Sequence, residues 1–337
     1  MNLKNSTNLR NSIPVIVGPT ASGKTDIAYE TAVLLRDKLN KEVEIISADS
    51  RQVYKYILIA SSYPPEKYLK EFKHYYIGAL NPEDEFNAGM FGKSARELIK
   101  KIIGRNKFPL VAGGSGLYIS SLIYGLFDYE NINEESDELK QKQKEIRINL
   151  EERLKKEGIE SLLDELKKVD SESAGKMENV NQRRIVRALE VYFLTGIPIS
   201  VHQKRKIDVG FSAVQFGINW ERQDLYDRIN NRVDLMIENG LIAEISKLKS
   251  NGYNCTEYNS LNTVGVKEVF DYLDNKISKD EMITLIKQNT RRFAKRQMTW
   301  FGKDKNIRWI DADEKNFVKI PKMLCNILIP GEIQQAN

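Results

Sequence analysis

The chain has 337 residues, 41% of them apolar, and a formal net charge of +5; that leaves room for one large or two smaller domains with an ordinary buried core. Two cysteines and two histidines are too few for a zinc site, a disulfide framework or histidine-based catalysis. Residues 1–12 are polar and lack the apolar stretch of a signal peptide. No run is long enough to span a bilayer, so a reducing cytoplasm without membrane contact is the expected setting.

The first predicted element is a buried strand, Ile13-Pro14-Val15-Ile16-Val17. It leads into Gly18-Pro19-Thr20-Ala21-Ser22-Gly23-Lys24-Thr25, and Asp26 to Leu35 follow with helical spacing. Strand, glycine loop and helix are the context of a phosphate-binding P-loop. Its glycines let successive N–H groups curl toward one anion, and the helix adds its positive dipole end. Lys24 reaches phosphate oxygens in such a loop, and the Thr25 hydroxyl holds a magnesium ion. The pattern specifies a di- or triphosphate without saying which.

A second strand is expected over Glu42–Ser47, ending at Asp49. Residues just past a strand of an open parallel sheet line the ligand crevice, which puts Asp49 on the edge that carries the P-loop. Asp49 is also a good helix N-cap, and the two roles are compatible. Residues 53–90 give no clear pattern beyond breaks at Pro64-Pro65 and Asn81-Pro82. A helix over Ala88–Ile103 stops at Gly104, a strand follows over Phe108–Ala112, and Gly113-Gly114-Ser115-Gly116 opens a helix over Leu117–Tyr124. This second glycine turn either admits a ligand or makes a tight connection.

From Asn131 to Val169 the composition shifts to Glu, Lys and Asn with sparse apolar residues, the mark of long, exposed amphipathic helices. A further helix carries Ile185, Leu189 and Tyr192 as a core stripe, with Arg183 and Arg187 on one face, and Gly196 and Pro198 close it. The paired arginines suit either a solvated surface or a phosphate clamp. Ser212–Asn219 reads as a strand and Glu221–Leu248 as a helix in which Arg228 and Arg232 share a face. Lys287 to Lys305 is densely basic with Phe293, Trp300 and Phe301 interleaved, which fits either RNA binding or an amphipathic helix with a wet basic face.

Taken in order, these segments resemble the tRNA dimethylallyltransferases. The resemblance rests on the P-loop, on Asp49-Ser50-Arg51-Gln52-Val53-Tyr54-Lys55, on Gly113 to Tyr118 and on Gln182 to Glu190. It continues through Asp227-Arg228-Ile229, Arg232-Val233-Asp234 and Val264 to Glu268, and closes on the highly specific Asn289 to Phe301. It implies an α/β fold: a P-loop NTPase-like core, a parallel sheet flanked by helices, over residues 1–130 and 206–337, with an inserted all-helical tRNA-binding domain over 131–205. It implies transfer of a dimethylallyl group from dimethylallyl diphosphate to N6 of the adenosine 3′ to the anticodon, by a monomer with Mg2+ as cofactor. Asp49 would be the general base. Lys24, Thr25, Arg228 and Arg232 would serve the diphosphate, the two arginines being inseparable by sequence. The tRNA anticodon stem-loop would touch Asp49, Ser50, Arg51, Gln52, Ser115, Gln182, Arg183, Arg184, Arg187, Lys267, Arg292, Lys295, Arg296 and Gln297.

The chain departs from the family pattern on the acceptor side. Tyr56 to Pro64 replaces Gly-Met-Asp-Ile-Gly-Thr-Ala-Lys-Pro, His74-Tyr75-Tyr76-Ile77-Gly78 replaces His-His-Leu-Ile-Asp, and Gly265-Val266-Lys267-Glu268 replaces Gly-Tyr-Lys-Glu. Three other functions share the P-loop: a small-molecule kinase using ATP, a prenyltransferase acting on free adenine nucleotides, and a non-catalytic RNA-binding protein. The first two have little use for the basic run 287–305, and the third has none for Lys24, Thr25 and Asp49.

Overall fold

The computed structural model describes residues 12–125, 137–177, 181–204 and 208–329. The chain forms two compact units, Met1–Ile123 with Gly210–Asn337, and Tyr124–Val209. The domain boundaries expected at 130/131 and 205/206 lie outside the described residues.

The first unit is built on six parallel strands: β1 (Ile13–Val17), β2 (Val43–Ser47), β3 (Lys73–Tyr75), β4 (Phe108–Gly113), β5 (Ala213–Trp220) and β6 (Ile307–Ala312). They lie side by side in the order β3-β2-β4-β1-β5-β6. Every residue of β1 and β2 is buried, as parallel strands covered on both faces require; in β2 this includes Glu44, which is satisfied by Tyr75, Arg105 and Lys107. Ile16 of β1 sits between Ala112 of β4 and Phe216 of β5. Helix α1 (Lys24–Leu39) lays Ile27, Ala28, Thr31, Ala32 and Leu35 on this core, the spacing of one helical face. The other helices before the second unit are α2 (Glu66–Glu71), α3 (Ala88–Gly104) and α4 (Gly116–Tyr124).

The described residues of the second unit form helices α5 (Asp137–Val169), α6 (Ser171–Gly175), α7 (Gln182–Thr195) and α8 (Ile199–Lys204). Gly158, at φ +80°, breaks α5 into two arms. Leu150, Leu162 and Leu166 of those arms are fully buried, as are Ile185 and Leu189 of α7, so the sparse leucines form a core of their own. Gly196 ends α7 in a left-handed cap.

Back in the first unit come α9 (Arg222–Glu238), α10 (Leu241–Ser250), α11 (Val266–Leu273), α12 (Lys279–Phe301) and α13 (Ile320–Leu328). The single helix expected over Glu221–Leu248 is therefore two. Gly240 takes φ +94° as the N-cap of α10, a conformation that a glycine adopts cheaply and that a continuous helix excludes. Among the described residues, no helix is long and apolar enough to cross a membrane.

Candidate functional site

In a parallel sheet the strand ends share one edge, and here that edge makes the site. β1 runs into the P-loop, β2 into Asp49, β4 into the second glycine turn, and β5 ends at Trp220. A cleft of about 830 Å³ opens there, with Thr20, Lys24, Thr25, Asp49, Arg228 and Arg232 in its lining.

The P-loop is shaped by tethers from outside the strand–loop–helix unit. Gln297 Oε1 of α12 accepts from Thr20 N at 2.8 Å. Arg228 Nε of α9 donates to the Ala21 carbonyl at 2.9 Å, and Trp220 Nε1 of β5 donates to the Ser22 carbonyl at 3.1 Å. Three successive residues are thus fixed, including Ala21, which holds a φ of +63° that residues with a Cβ rarely adopt. Gly18 could not be replaced cheaply: a Cβ there would lie 2.9 Å from the Ile218 carbonyl oxygen. A loop already bent for an anion need not be ordered when the anion arrives.

Lys24 Nζ donates to the Pro19 carbonyl at 2.5 Å. Removal from water, reinforced by the nearby Arg232 guanidinium and partly offset by Asp49, brings its pKa down to about 7. Arg232 donates to the Thr20 hydroxyl at 3.2 Å; burial lowers its pKa, and Asp49 and Asp26 counter that. Arg228 instead lies over the Trp220 ring, 4.1 Å from its centroid. The two arginines now separate. Arg232 shares an electrostatic cluster with Lys24 and Asp49, whereas Arg228 is stacked on a ring and bonded to the loop's backbone.

Asp49 lies on the cleft edge as the strand-end rule expected, but it caps a turn, since no helix follows β2 there. Its Oδ1 accepts from Arg51 N at 2.8 Å and from Gln52 N at 3.4 Å, capping the turn after β2. The same carboxylate lines the cleft. Ser115 joins this turn to the second glycine turn, its Oγ accepting from Ser50 N at 2.8 Å. That second turn is tightly packed: a Cβ on Gly113 would lie 2.1 Å from the Ala48 carbonyl oxygen, and one on Gly116 would lie 2.1 Å from the Trp300 ring.

Several residues expected at the RNA are engaged within the chain. Arg51 donates to the carbonyls of Asn259 and Ser260 at 2.7 and 3.0 Å. Gln52 accepts from the Ser47 hydroxyl and donates to the Ser62 carbonyl. Gln297 also donates to the Gly114 carbonyl at 2.8 Å, so it latches the two glycine turns together. In the basic run, Lys287 pairs with Asp234 and Arg291 donates to Asn230. Arg292, Lys295 and Arg296 are exposed on α12, beside Phe293 and Trp300, which are 38% and 41% exposed. The opposite face of α12 is buried through Met282, Ile286, Ala294, Gln297 and Phe301. The helix therefore has both a core face and a wet basic one. Lys267 is exposed at the start of α11. In the second unit, Gln182, Arg183 and Arg184 are exposed in the first turn of α7, while Arg187 is bonded to the buried Glu190 at 2.7 Å.

One feature escaped the sequence reading: Trp220 stands at the end of β5, where the strand-end rule would have flagged it. The departing segments contribute Ala60–Pro64, His74 and Ile77 to the lining of the cleft.

The description "IPP transferase" matches residues 52–304. The chain belongs to the IPP transferase family. It is 44% identical over 305 residues to the tRNA dimethylallyltransferase of Acetivibrio thermocellus, covering 90% of this chain and 92% of that one. It is 37% identical to that of Natranaerobius thermophilus, with 97% and 95% covered. Among solved structures, the tRNA isopentenylpyrophosphate transferase of Bacillus halodurans superposes with a TM-score of 0.63 at 34% identity, covering 94% of this chain and 97% of that one. A eukaryotic dimethylallyltransferase acting on tRNA superposes with 0.78 at 26% identity, covering 97% and 81%.

For this IPP transferase, the lowered Lys24 pKa gives a pH signature. An anion in the loop favours the ammonium, so binding raises the pKa above its free value of about 7. With the bound pKa the higher, the contribution of Lys24 to binding a diphosphate is expected to be greatest below pH 7. It falls as pH rises, by up to about tenfold per unit, until the bound pKa is reached. Calorimetry of inorganic diphosphate at pH 8, in two buffers of different ionisation heat, should show net proton uptake that disappears in Lys24→Met. Equal uptake in the two proteins would remove Lys24 as its source.

Proposed function

We propose that this enzyme transfers the dimethylallyl group of dimethylallyl diphosphate to N6 of the adenosine on the 3′ side of the anticodon in tRNA, acting as a single chain in the cytoplasm. One observation carries the reading: a pre-bent phosphate loop and the Asp49 carboxylate line one cleft, a wall of which is α12.

The loop N–H groups, Lys24 and Arg232 receive the diphosphate. As the allylic carbon–oxygen bond breaks, negative charge grows on the leaving oxygens, and donors already aimed at them stabilise that charge without reorganising. The N6 lone pair forms the new carbon–nitrogen bond to the same carbon. The exocyclic amine is a weak nucleophile, and Asp49 orients it and accepts its proton as the bond forms. Because Oδ1 is committed to the turn, the carboxylate is held in one place as it does so. The base reaches the cleft by leaving its stack, as substrates of base-modifying enzymes do.

The donor set suits magnesium held largely by the substrate. Among the described residues, no three His, Cys, Asp or Glu side chains cluster to hold a metal. The Thr25 hydroxyl would then be the protein's ligand, with diphosphate oxygens and water completing a shell of the kind Mg2+ keeps. Such an ion, when bound, would neutralise charge on the departing diphosphate.

In the first unit, Arg292, Lys295, Arg296 and Lys267 are exposed cations that can meet an RNA backbone; in the second unit, taken by itself, Arg183 and Arg184 are exposed as well. A kinase or a nucleotide prenyltransferase needs no such surface. Incubation with labelled dimethylallyl diphosphate and tRNA, AMP or ATP separates the readings: label is expected in tRNA, and label in AMP or ATP would overturn this one.

Lys287 and Arg291 are paired, so the salt dependence should come from fewer charges than the basic run contains. Three phosphate contacts from Arg292, Lys295 and Arg296 contribute roughly −2 to −3 to the slope of log affinity for tRNA against log salt. Replacing all three with Ala should flatten the plot by about that amount. An unchanged slope in the triple variant would remove α12 from the RNA interface.

A further inference from the structure

The family match ends at residue 304, yet a residue beyond it closes over the phosphate loop. Between β6 and α13 the chain makes a tight turn. The Asp313 carboxylate accepts from Lys315 N and Asn316 N, both at 2.7 Å, and Asn316 Nδ2 donates to the Asp311 carbonyl at 3.0 Å. That turn seats Phe317 on the loop so closely that a Cβ on Gly23 would lie 2.4 Å from its ring.

The Arg228 guanidinium meets two rings, 5.2 Å from the Phe317 centroid and 4.1 Å from that of Trp220. The two rings are tilted by 43° with centroids 5.6 Å apart. Rings on a guanidinium restrict its plane and attract its charge. Held in this way, Arg228 keeps its Nε on the carbonyl of Ala21, the loop residue at positive φ. Its remaining N–H donors are left to the cleft that Arg228 lines.

We propose that Phe317 is a positioning residue of the diphosphate site, fixing with Trp220 the plane of Arg228 so that Arg228 holds the loop in its anion-binding curve. The inference rests on the reading of the loop as a diphosphate site. If Phe317 only covered apolar surface, leucine would serve as well as an aromatic ring. Leucine therefore tests the role, whereas alanine also removes packing.

The experiment is calorimetric titration of the full chain with inorganic diphosphate and with dimethylallyl diphosphate, alongside tRNA binding. Phe317→Ala and Phe317→Leu are each expected to weaken diphosphate binding about tenfold, the worth of a desolvated cation–π contact. Phe317→Tyr should keep wild-type affinity, and tRNA affinity should hold in all three. In an Arg228→Met background, Phe317→Ala should cost nothing further. Wild-type diphosphate affinity in Phe317→Leu, or an undiminished loss from Phe317→Ala in the Arg228→Met background, would overturn this inference alone. A wild-type chain that binds neither diphosphate would overturn the reading of the loop, and this inference with it.

Discussion

Replacing Asp49 with Asn is expected to slow single-turnover prenyl transfer by about a hundred- to ten-thousand-fold, the usual worth of general-base assistance. Dimethylallyl diphosphate binding should barely change. The structure makes this a clean substitution. Asp49 Oδ1 accepts from Arg51 N and Gln52 N, and an asparagine carbonyl oxygen can accept the same two bonds. Asn and Asp also rank together as caps. What would be lost is the basicity that the proposed mechanism uses to take the N6 proton. Rapid-quench measurement of transfer with enzyme in excess checks this. A variant that transfers at close to the wild-type rate would leave Asp49 as a turn cap and remove it from the chemistry.

The second large effect is expected at Lys24. Lys24→Met keeps an unbranched chain of similar length but removes the charge facing the leaving diphosphate. Losing one pre-aimed donor to a developing anion typically costs about a hundred- to thousand-fold in turnover. Arg228 and Arg232 are each tied to the loop, on the Ala21 carbonyl and the Thr20 hydroxyl, so neither is free to move into the place that Lys24 leaves. The tRNA affinity should stay at the wild-type value, because the exposed cations of α12 are untouched. Steady-state rates and a tRNA binding titration on the same preparation check both halves, and a parallel loss of tRNA binding would place Lys24 at the RNA instead.

The parts of the fold that were legible in the sequence are those whose signal is local. β1, β2, β4 and β5 are largely buried strands, and their apolar residues show through even where Glu44 or Gln215 interrupts the run. β6 lies at the sheet edge, with Arg308, Trp309 and Asp311 exposed, and has no such run to read. β3 is three residues long and largely polar in pattern. The break at Gly240 was hidden because Val233 before it and Leu241, Ile245 and Leu248 after it feed the same cluster, which keeps the apolar rhythm going across the cap.

The site divides along the same line. Gly18 to Thr25 is a local motif, and Asp49 follows from the strand-end rule. The tethers that shape the loop come from residues 277, 207 and 198 positions away, a distance over which no spacing rule operates. Gln297 shows the consequence. It stands in a run of cations that reads as RNA-facing, yet it is buried, with its amide on Thr20 and Gly114. Helical rotation turns it inward while Lys295 and Arg296 face out. Phe317 left no trace in the sequence, because its meaning depends on Gly23 lying beneath it.

The central claim, prenyl transfer to one adenosine of tRNA, is tested most directly by mapping the product. The purified chain is incubated with dimethylallyl diphosphate, Mg2+ and an unmodified tRNA transcript carrying adenosine 3′ to its anticodon. The RNA is then digested and its fragments are weighed by mass spectrometry while released diphosphate is counted. The account predicts one added dimethylallyl group, on that adenosine, for each diphosphate released, and no product when that adenosine is replaced by guanosine. Product that persists after the replacement, or diphosphate released without modified tRNA, would contradict it.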